Sequence, residues 1–220
     1  MSDHPFVMCS DREEWLTERS KSLGASDAAA YIGISPWKTN ERLWREKCGL
    51  VDGDDVSDNS AVEYGNQAEP LLRSFFALDH PEYRLTFDPF KIVQNPALPF
   101  ITATPDADLE EIATGRKGGL EIKTTRISAR SGWDKWEDRI PDYYYAQVCH
   151  QMSATGWEFV ILVVQIKYTD AKGHARKEVR DYTIEREDVL SDIELIEKEA
   201  TTFWGYVKDR KRPPLKLPTI

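Results

Sequence analysis

Cysteine is scarce in this chain, with 3 in 220 residues, and Cys9, Cys48 and Cys149 lie too far apart for a CxxC pair. That spacing argues against a disulfide framework, a zinc knuckle or an iron–sulfur cluster held by four cysteines, and it fits a reducing, cytoplasmic setting. His4, His80, His150 and His174 are scattered without ligand spacing, so none is expected to hold a metal. No apolar run approaches the roughly 18 residues expected of a membrane span, and the N-terminus has no basic and apolar signal segment. A soluble intracellular protein with no membrane partner is expected. Positive charge is also short: 29 Lys and Arg stand against 38 Asp and Glu, a formal net charge of -9. Affinity for a phosphate backbone normally comes from Lys and Arg. The acidic balance therefore weighs against nucleic-acid binding unless the cations are gathered on one surface, with acids placed elsewhere, as in a solvated loop at about 51–59.

Aromatic residues are plentiful: 7 Trp, 9 Tyr and 8 Phe supply enough apolar surface to argue against disorder. The length suits one domain over 1–220 with a substantial core. Ser10-Asp11-Arg12-Glu13 has capping-box spacing and predicts a helix carrying Trp15, Leu16 and Arg19. A glycine-containing turn then feeds a short helix capped by Ser26 and closed by Gly33. Such a helix start, with a nearby arginine, is either an anion site or a plain N-cap beside a surface arginine.

A third helix is expected from Glu41 to Cys48, and a fourth from about Ser60 to Leu78, kinked or restarted at Pro70, with Leu71, Leu72, Phe75 and Phe76 as its apolar stripe. Strand patterns at Tyr83–Phe87, Phe90–Val93, Phe100–Thr104, Ala107–Ile112 and Leu120–Thr125 predict one central sheet. Pro141 opens a helix in which Gln147 and Gln151 share a face, next to a Tyr143-Tyr144-Tyr145 cluster that suits either core packing or base stacking. Strands at Glu158–Tyr168 and Glu178–Ile184 extend the sheet, and a last helix runs from about Arg186 to Lys208. A basic, proline-rich tail over about 208–220 is expected on the surface.

The chemistry is concentrated in Asp106 and in Glu121-Ile122-Lys123. On a strand, Glu121 and Lys123 share one face and Ile122 takes the other. The turn-rich Thr114–Gly119 stretch can close a hairpin that brings Asp106 toward them. Two carboxylates suit magnesium, which keeps waters and substrate phosphate oxygens in its other positions, and a lysine beside them can act on the attacking water. Glu69 can point inward as a further carboxylate. An ordinary surface hairpin would show the same residues.

The order of motifs resembles the lambda-type alkaline exonucleases, the YqaJ-like viral recombinase nucleases. The resemblance runs from Trp15 and Arg19 through Gly24-Ala25-Ser26-Asp27, Tyr64-Gly65-Asn66-Gln67-Ala68-Glu69, Thr104-Pro105-Asp106 and Leu120-Glu121-Ile122-Lys123 to Ala146-Gln147-Val148. It implies an α/β (α+β) fold with a restriction-endonuclease-like core, a mixed central sheet flanked by helices. It also implies magnesium, replaceable by manganese, on Asp106, Glu121 and the Ile122 carbonyl, with Lys123 acting on water and Glu69 assisting. Arg19, Ser26, Thr104 and Gln147 would hold a terminal 5'-phosphate; Thr104 departs from the serine of the best-known member but keeps the hydroxyl. The implied activity is 5'-to-3' digestion of one strand of linear double-stranded DNA to mononucleotides. The 3' overhang left behind would serve recombination through a single-strand annealing protein. A homotrimeric ring is implied too, its channel lined by cations such as Lys117, Arg126, Arg130, Lys135 and Arg139. Two alternatives stand beside this: a restriction-type endonuclease of the same fold, and a non-catalytic DNA-binding protein on a decayed nuclease fold.

Overall fold

The computed structural model describes residues 4–53 and 58–217; the side chains of 130 and 131 fall outside that description, as do 54–57 of the acidic loop and 218–220 of the tail. The chain opens with β1 (Phe6–Met8), α1 (Arg12–Ser20) and β2 (Leu23–Gly24), and passes a 3-10 turn at Ala25–Asp27 into α2 (Ala28–Ile32). Next come α3 (Asn40–Lys47) and the long α4 (Ser60–Asp79), then β3 (Tyr83–Thr86), β4 (Lys91–Gln94), β5 (Ile101–Ala103), β6 (Ala107–Glu111) and β7 (Lys117–Ile127). The short α5 (Arg130–Trp133) and α6 (Asp142–Thr155) lead to the hairpin of β8 (Phe159–Thr169) and β9 (Ala175–Glu185), and α7 (Leu190–Lys208) follows a second 3-10 turn.

Strands β3, β6, β7, β8 and β9 form a mixed sheet in that order. Within this sheet, among the described residues, only β7 and β8 are parallel, and a parallel pair needs a long crossover, which α5 and α6 supply. Phe159–Val164 is buried throughout because successive residues serve opposite layers. Val160, Leu162 and Val164 pack with α2, α3, α6 and α7. Phe159, Ile161 and Val163 pack with Ala68, Leu72 and Phe76 of α4. A strand covered on both faces reads as a continuous apolar run, and each large side chain so buried contributes about 1.5–3 kcal/mol.

The single sheet expected from sequence is two. Strands β4 and β5 leave the central sheet and form a smaller one with β1 and β2, in the order β1-β4-β5-β2. The partners β1 and β2 are three and two residues long, too short to show a period. His150 of α6 fastens this sheet, because its Nε2 lies 3.1 Å from the carbonyls of both Leu23 and Thr102 and its Nδ1 lies 2.9 Å from the Tyr31 hydroxyl. Burial pushes His150 down to about 4, so it is neutral, with Nε2–H donating and Nδ1 accepting.

Local expectations shift for physical reasons. Asp11, not Ser10, caps α1 by accepting the N–H groups of Glu13 and Glu14, while Glu14 reaches back to the Ser10 N–H at 2.6 Å. Helix α4 runs through Pro70 without restarting. Its buried stripe is Ala68, Leu72 and Phe76, at helical spacing of four, which leaves Leu71 and Phe75 62% and 61% exposed. The tail is pinned over 212–216: Asn40 donates to the Pro214 carbonyl at 2.8 Å and accepts from the Lys216 N–H at 3.0 Å.

Candidate active site

The β6–β7 hairpin sets the centre of the site. Ala107 pairs with Leu120, so Asp106 stands beside the next residues of β7, and its Oδ2 accepts the Ile122 N–H at 2.7 Å. Alternation along β7 then does what the sequence implied. Ile122 enters the layer under α4, while Glu121 and Lys123 turn toward α6. Glu121 is 2% exposed and fully engaged: Gln147 Nε2 donates to Oε1 at 2.6 Å, Gln151 Nε2 donates to Oε2, and the Lys123 ammonium pairs with Oε1. Glu69 comes from α4, where Arg73 one turn on holds it in an ion pair and stacks over Phe87 with its guanidinium carbon 3.5 Å from the ring centre.

These groups strain one another electrostatically. Burial first, then the charges of Glu121 and Glu69, pushes Asp106 well above the usual carboxylate range, against the pull of Lys123 and the Ile122 N–H. Burial also raises Glu69. For Lys123, burial alone would favour the neutral amine, but Glu121 and Asp106 reverse that and hold the ammonium more firmly than usual. Carboxylates crowded together with too little countercharge are a setting that a cation relieves.

Among the described residues no three His, Cys, Asp or Glu side chains stand ready as a converged metal cluster. The donor chemistry nevertheless fits magnesium, which takes one or two carboxylates and fills its shell with neutral oxygens and water. Asp106 and Glu121 are hard oxygen donors lining one cleft, Asp106 holds the Ile122 backbone through its N–H, and among the described residues the buried Gln151 Oε1 has no hydrogen-bond partner. Lys123 and the two glutamines occupy the Glu121 oxygens that a cation would share.

Arg19, Ser26 and Thr104 line the same cleft as Asp106, Glu121 and Lys123, a hollow of about 590 Å³ that Glu69 and Gln147 complete. Arg19 stacks over Trp15, its guanidinium carbon 4.4 Å from the ring centre, and donates to the Ser26 hydroxyl at 3.4 Å. Ser26 does not cap a helix. It sits inside the 3-10 turn, and α2 begins after Asp27 with no side-chain cap. Asp27 fixes that turn by accepting the Gly24 N–H at 3.0 Å and pairing with Lys47 at 2.8 Å. Gln147 donates to Glu121 in this arrangement and lines the same cleft as Arg19.

Sequence reasoning passed over Arg73, Lys91 and the Asp27–Lys47 pair. Arg73 was readable, since an acid and a base at i and i+4 on a helix are neighbours. Lys91 lines the cleft and pairs with Asp108, and no local pattern signals a contact between strands of different sheets.

A family model for the YqaJ-like viral recombinase domain matches residues 14–158, and the chain belongs to that family. The uncharacterized protein YqaJ of Bacillus subtilis (strain 168) is 31% identical over 199 residues, 88% of this chain and 56% of that protein. An uncharacterized protein of Acanthamoeba polyphaga mimivirus is 26% identical over 151 residues, 65% of this chain and 26% of that protein. The chain thus spans about half, or less, of the length of these curated relatives. In fold it matches the crystal structure of an alkaline exonuclease (LHK-Exo) from Laribacter hongkongensis, with a TM-score of 0.68 at 19% identity over 90% of this chain and 94% of that one. LHK-Exo in complex with dAMP matches at a TM-score of 0.65 and 21% identity, with the same coverage. The fold is therefore the mixed α/β arrangement of these neighbours, a central sheet flanked by helices. No helix among the described residues is long and apolar enough to cross a membrane.

Proposed function

We propose that this chain is a magnesium-dependent 5'-to-3' exonuclease that digests one strand of linear double-stranded DNA to mononucleotides and leaves a 3' overhang for single-strand annealing. The observation that carries the reading is the meeting, in one cleft, of Asp106, Glu121 and Lys123 with the Arg19–Ser26 pair. Asp106, Glu121 and the Ile122 carbonyl would hold the metal, whose charge, when bound, polarises the scissile phosphate and acidifies water. Lys123, kept as an ammonium, donates hydrogen bonds that orient the attacking water and offset charge growing on the phosphate oxygens. Glu69, held by Arg73, shapes the field around Lys123. Arg19 donates to the Ser26 hydroxyl and lines one cleft with Thr104 and Gln147, a set that would serve as a charge-assisted cradle for a terminal phosphate. A phosphate seated there would place the adjoining phosphodiester at the carboxylates, so a preference for ends is expected. The family's viral recombinase description and the fold neighbour crystallised with dAMP support the same reading. A homotrimeric ring and a single-strand annealing partner complete the proposal.

A time course on linear duplex DNA labelled separately at each end, with and without a 5'-phosphate, tests it. Magnesium-dependent release from the phosphorylated 5' end, with covalently closed circles left intact, is the expected result. Cutting of circles would favour a restriction-type endonuclease, and no nucleotide released with magnesium or manganese would leave a non-catalytic DNA-binding protein. In the same assay Arg19→Ala is expected to reduce the preference for phosphorylated ends by about tenfold to a hundredfold, the worth of one charged hydrogen bond. An unchanged preference would remove Arg19 from the cradle.

A further inference from the structure

Three cations lie in one row across the open end of the central sheet. Arg126 of β7 pairs in register with Lys167 of β8, and Lys167 with Lys177 of β9, so the three side chains share a face. That face is the α4 side, because Tyr64 of α4 receives Lys167 at 3.4 Å and Lys177 at 5.3 Å from its ring centre. The Tyr64 hydroxyl is itself fixed by Gln165, so the ring is a held platform that sets both ammonium groups in place.

Other cations of this sheet are spent on carboxylates, as with Lys117 on Glu110 and Arg180 on Glu178. Among the described residues Arg126, Lys167 and Lys177 have no ion-pair partner. The neighbouring rows on this face, Thr124, Gln165 and Val179 on one side and Thr169 with Ala175 on the other, carry no acid. Asp181, further along the same face of β9, is engaged by His80 at 3.1 Å. In a chain of net charge -9, a row of cations left free of acids is selective placement.

Helix α4 ties the row to the cleft. Gly65 lies close enough to β7 that a Cβ there would sit 3.5 Å from the Thr124 hydroxyl, and Glu69, one turn on, lines the catalytic hollow. We infer that Arg126, Lys167 and Lys177 form a track for the phosphodiester backbone of DNA flanking the cleft, an inference that rests on the function proposed above. Three strands about 4.8 Å apart give a row about 10 Å long. At about 3.4 Å of rise per phosphate of one strand, that length meets two to three phosphates. An acidic protein segment would also meet cations, but its carboxylates have no such fixed repeat, and the row lies against α4, the helix that carries Glu69 into the proposed phosphodiester cleft.

The test is the salt dependence of binding by the full chain to a 5'-phosphorylated linear duplex, with chelator present so that no DNA is cut. For Lys167→Ala combined with Lys177→Ala, the slope of log affinity against log salt is expected to fall by about 2, from about 0.9 per duplex phosphate contact. Lys167→Arg combined with Lys177→Arg is expected to retain the wild-type slope, which a merely structural role for the lysines would not require. A parallel titration with a single strand of equal length, at about 0.7 per contact, shows which backbone occupies the track. An unchanged slope on both probes, failure of the arginine variant to retain it, or no DNA binding by the wild type would each overturn the inference. Release of nucleotide from linear duplex by the wild type with magnesium is scored separately. Absent release with an altered slope sinks the exonuclease and leaves the track; normal release with an unchanged slope does the reverse.

Discussion

Asp106→Asn is expected to silence magnesium-dependent nucleotide release, by on the order of a thousandfold or more, while leaving the metal-free protein at least as stable as the wild type. The two halves of this expectation have one cause. Asp106 is buried beside Glu121 and Glu69, and its carboxyl is held well above its ordinary range. Without a cation, that charge is a liability to the fold. Asparagine keeps an oxygen to accept the Ile122 N–H and removes the charge, a change of a kind that adds about 1 kcal/mol. The proposed reaction needs the same charge to hold the metal. Nucleotide release from linear duplex and a melting curve taken in chelator check the pair of outcomes. A variant that stays active would remove Asp106 from the metal site. A variant that is inactive only because it melts well below the wild type would show that Asp106 serves the fold instead.

How much of this could be seen in the sequence depended on whether the physics was local. The β8 run from Phe159 to Val164 and the α7 positions Ile193, Ile196, Phe203 and Val207 announce themselves by period, and all are buried. Alternation alone separates Ile122 from Glu121 and Lys123, and a spacing of four places Gln147 and Gln151 together on Glu121. What escaped was set by partners distant in the chain. Strands β1 and β2 are defined by the strands they join, and Ser26 is positioned by the Gly24–Asp27–Lys47 contacts, not by a helix start. Helix α4 misled in a different way: with a Leu or Phe at 71, 72, 75 and 76, the apolar stripe is wider than the buried one, and only the sheet decides which edge is covered.

The glycines of the β6–β7 hairpin are the next place where a single methyl group is expected to tell. Thr114–Gly119 reads as turn chemistry, but the turn closes before β7 begins at Lys117, with Gly115 at φ 76° and the Glu111 N–H donating to the Arg116 carbonyl at 3.0 Å. Gly118 and Gly119 lie within the strand, where glycine costs backbone entropy and offers no side chain to pack. Their use is close approach. A Cβ on Gly119 would lie 2.0 Å from the Trp157 ring, and one on Gly118 would lie 2.4 Å from the Phe159 ring. Trp157 is 1% exposed and has no space into which to withdraw, so Gly119→Ala must displace either the indole or the strand. Overpacking of this kind costs about 3 kcal/mol or more, a fall in melting temperature of about 6–12 °C for a chain of this size. Adding Trp157→Leu should make the double variant less unstable than the sum of the two single changes, because the smaller side chain vacates the collision. Strict additivity, or a Gly119→Ala protein that melts with the wild type, would show that the ring does not exclude the methyl group. The site should register the same push, since the strand that Trp157 overlies continues two residues on to Glu121 and supplies the Ile122 N–H that holds Asp106. Nucleotide release by Gly119→Ala is therefore expected to fall even at temperatures where the protein remains folded.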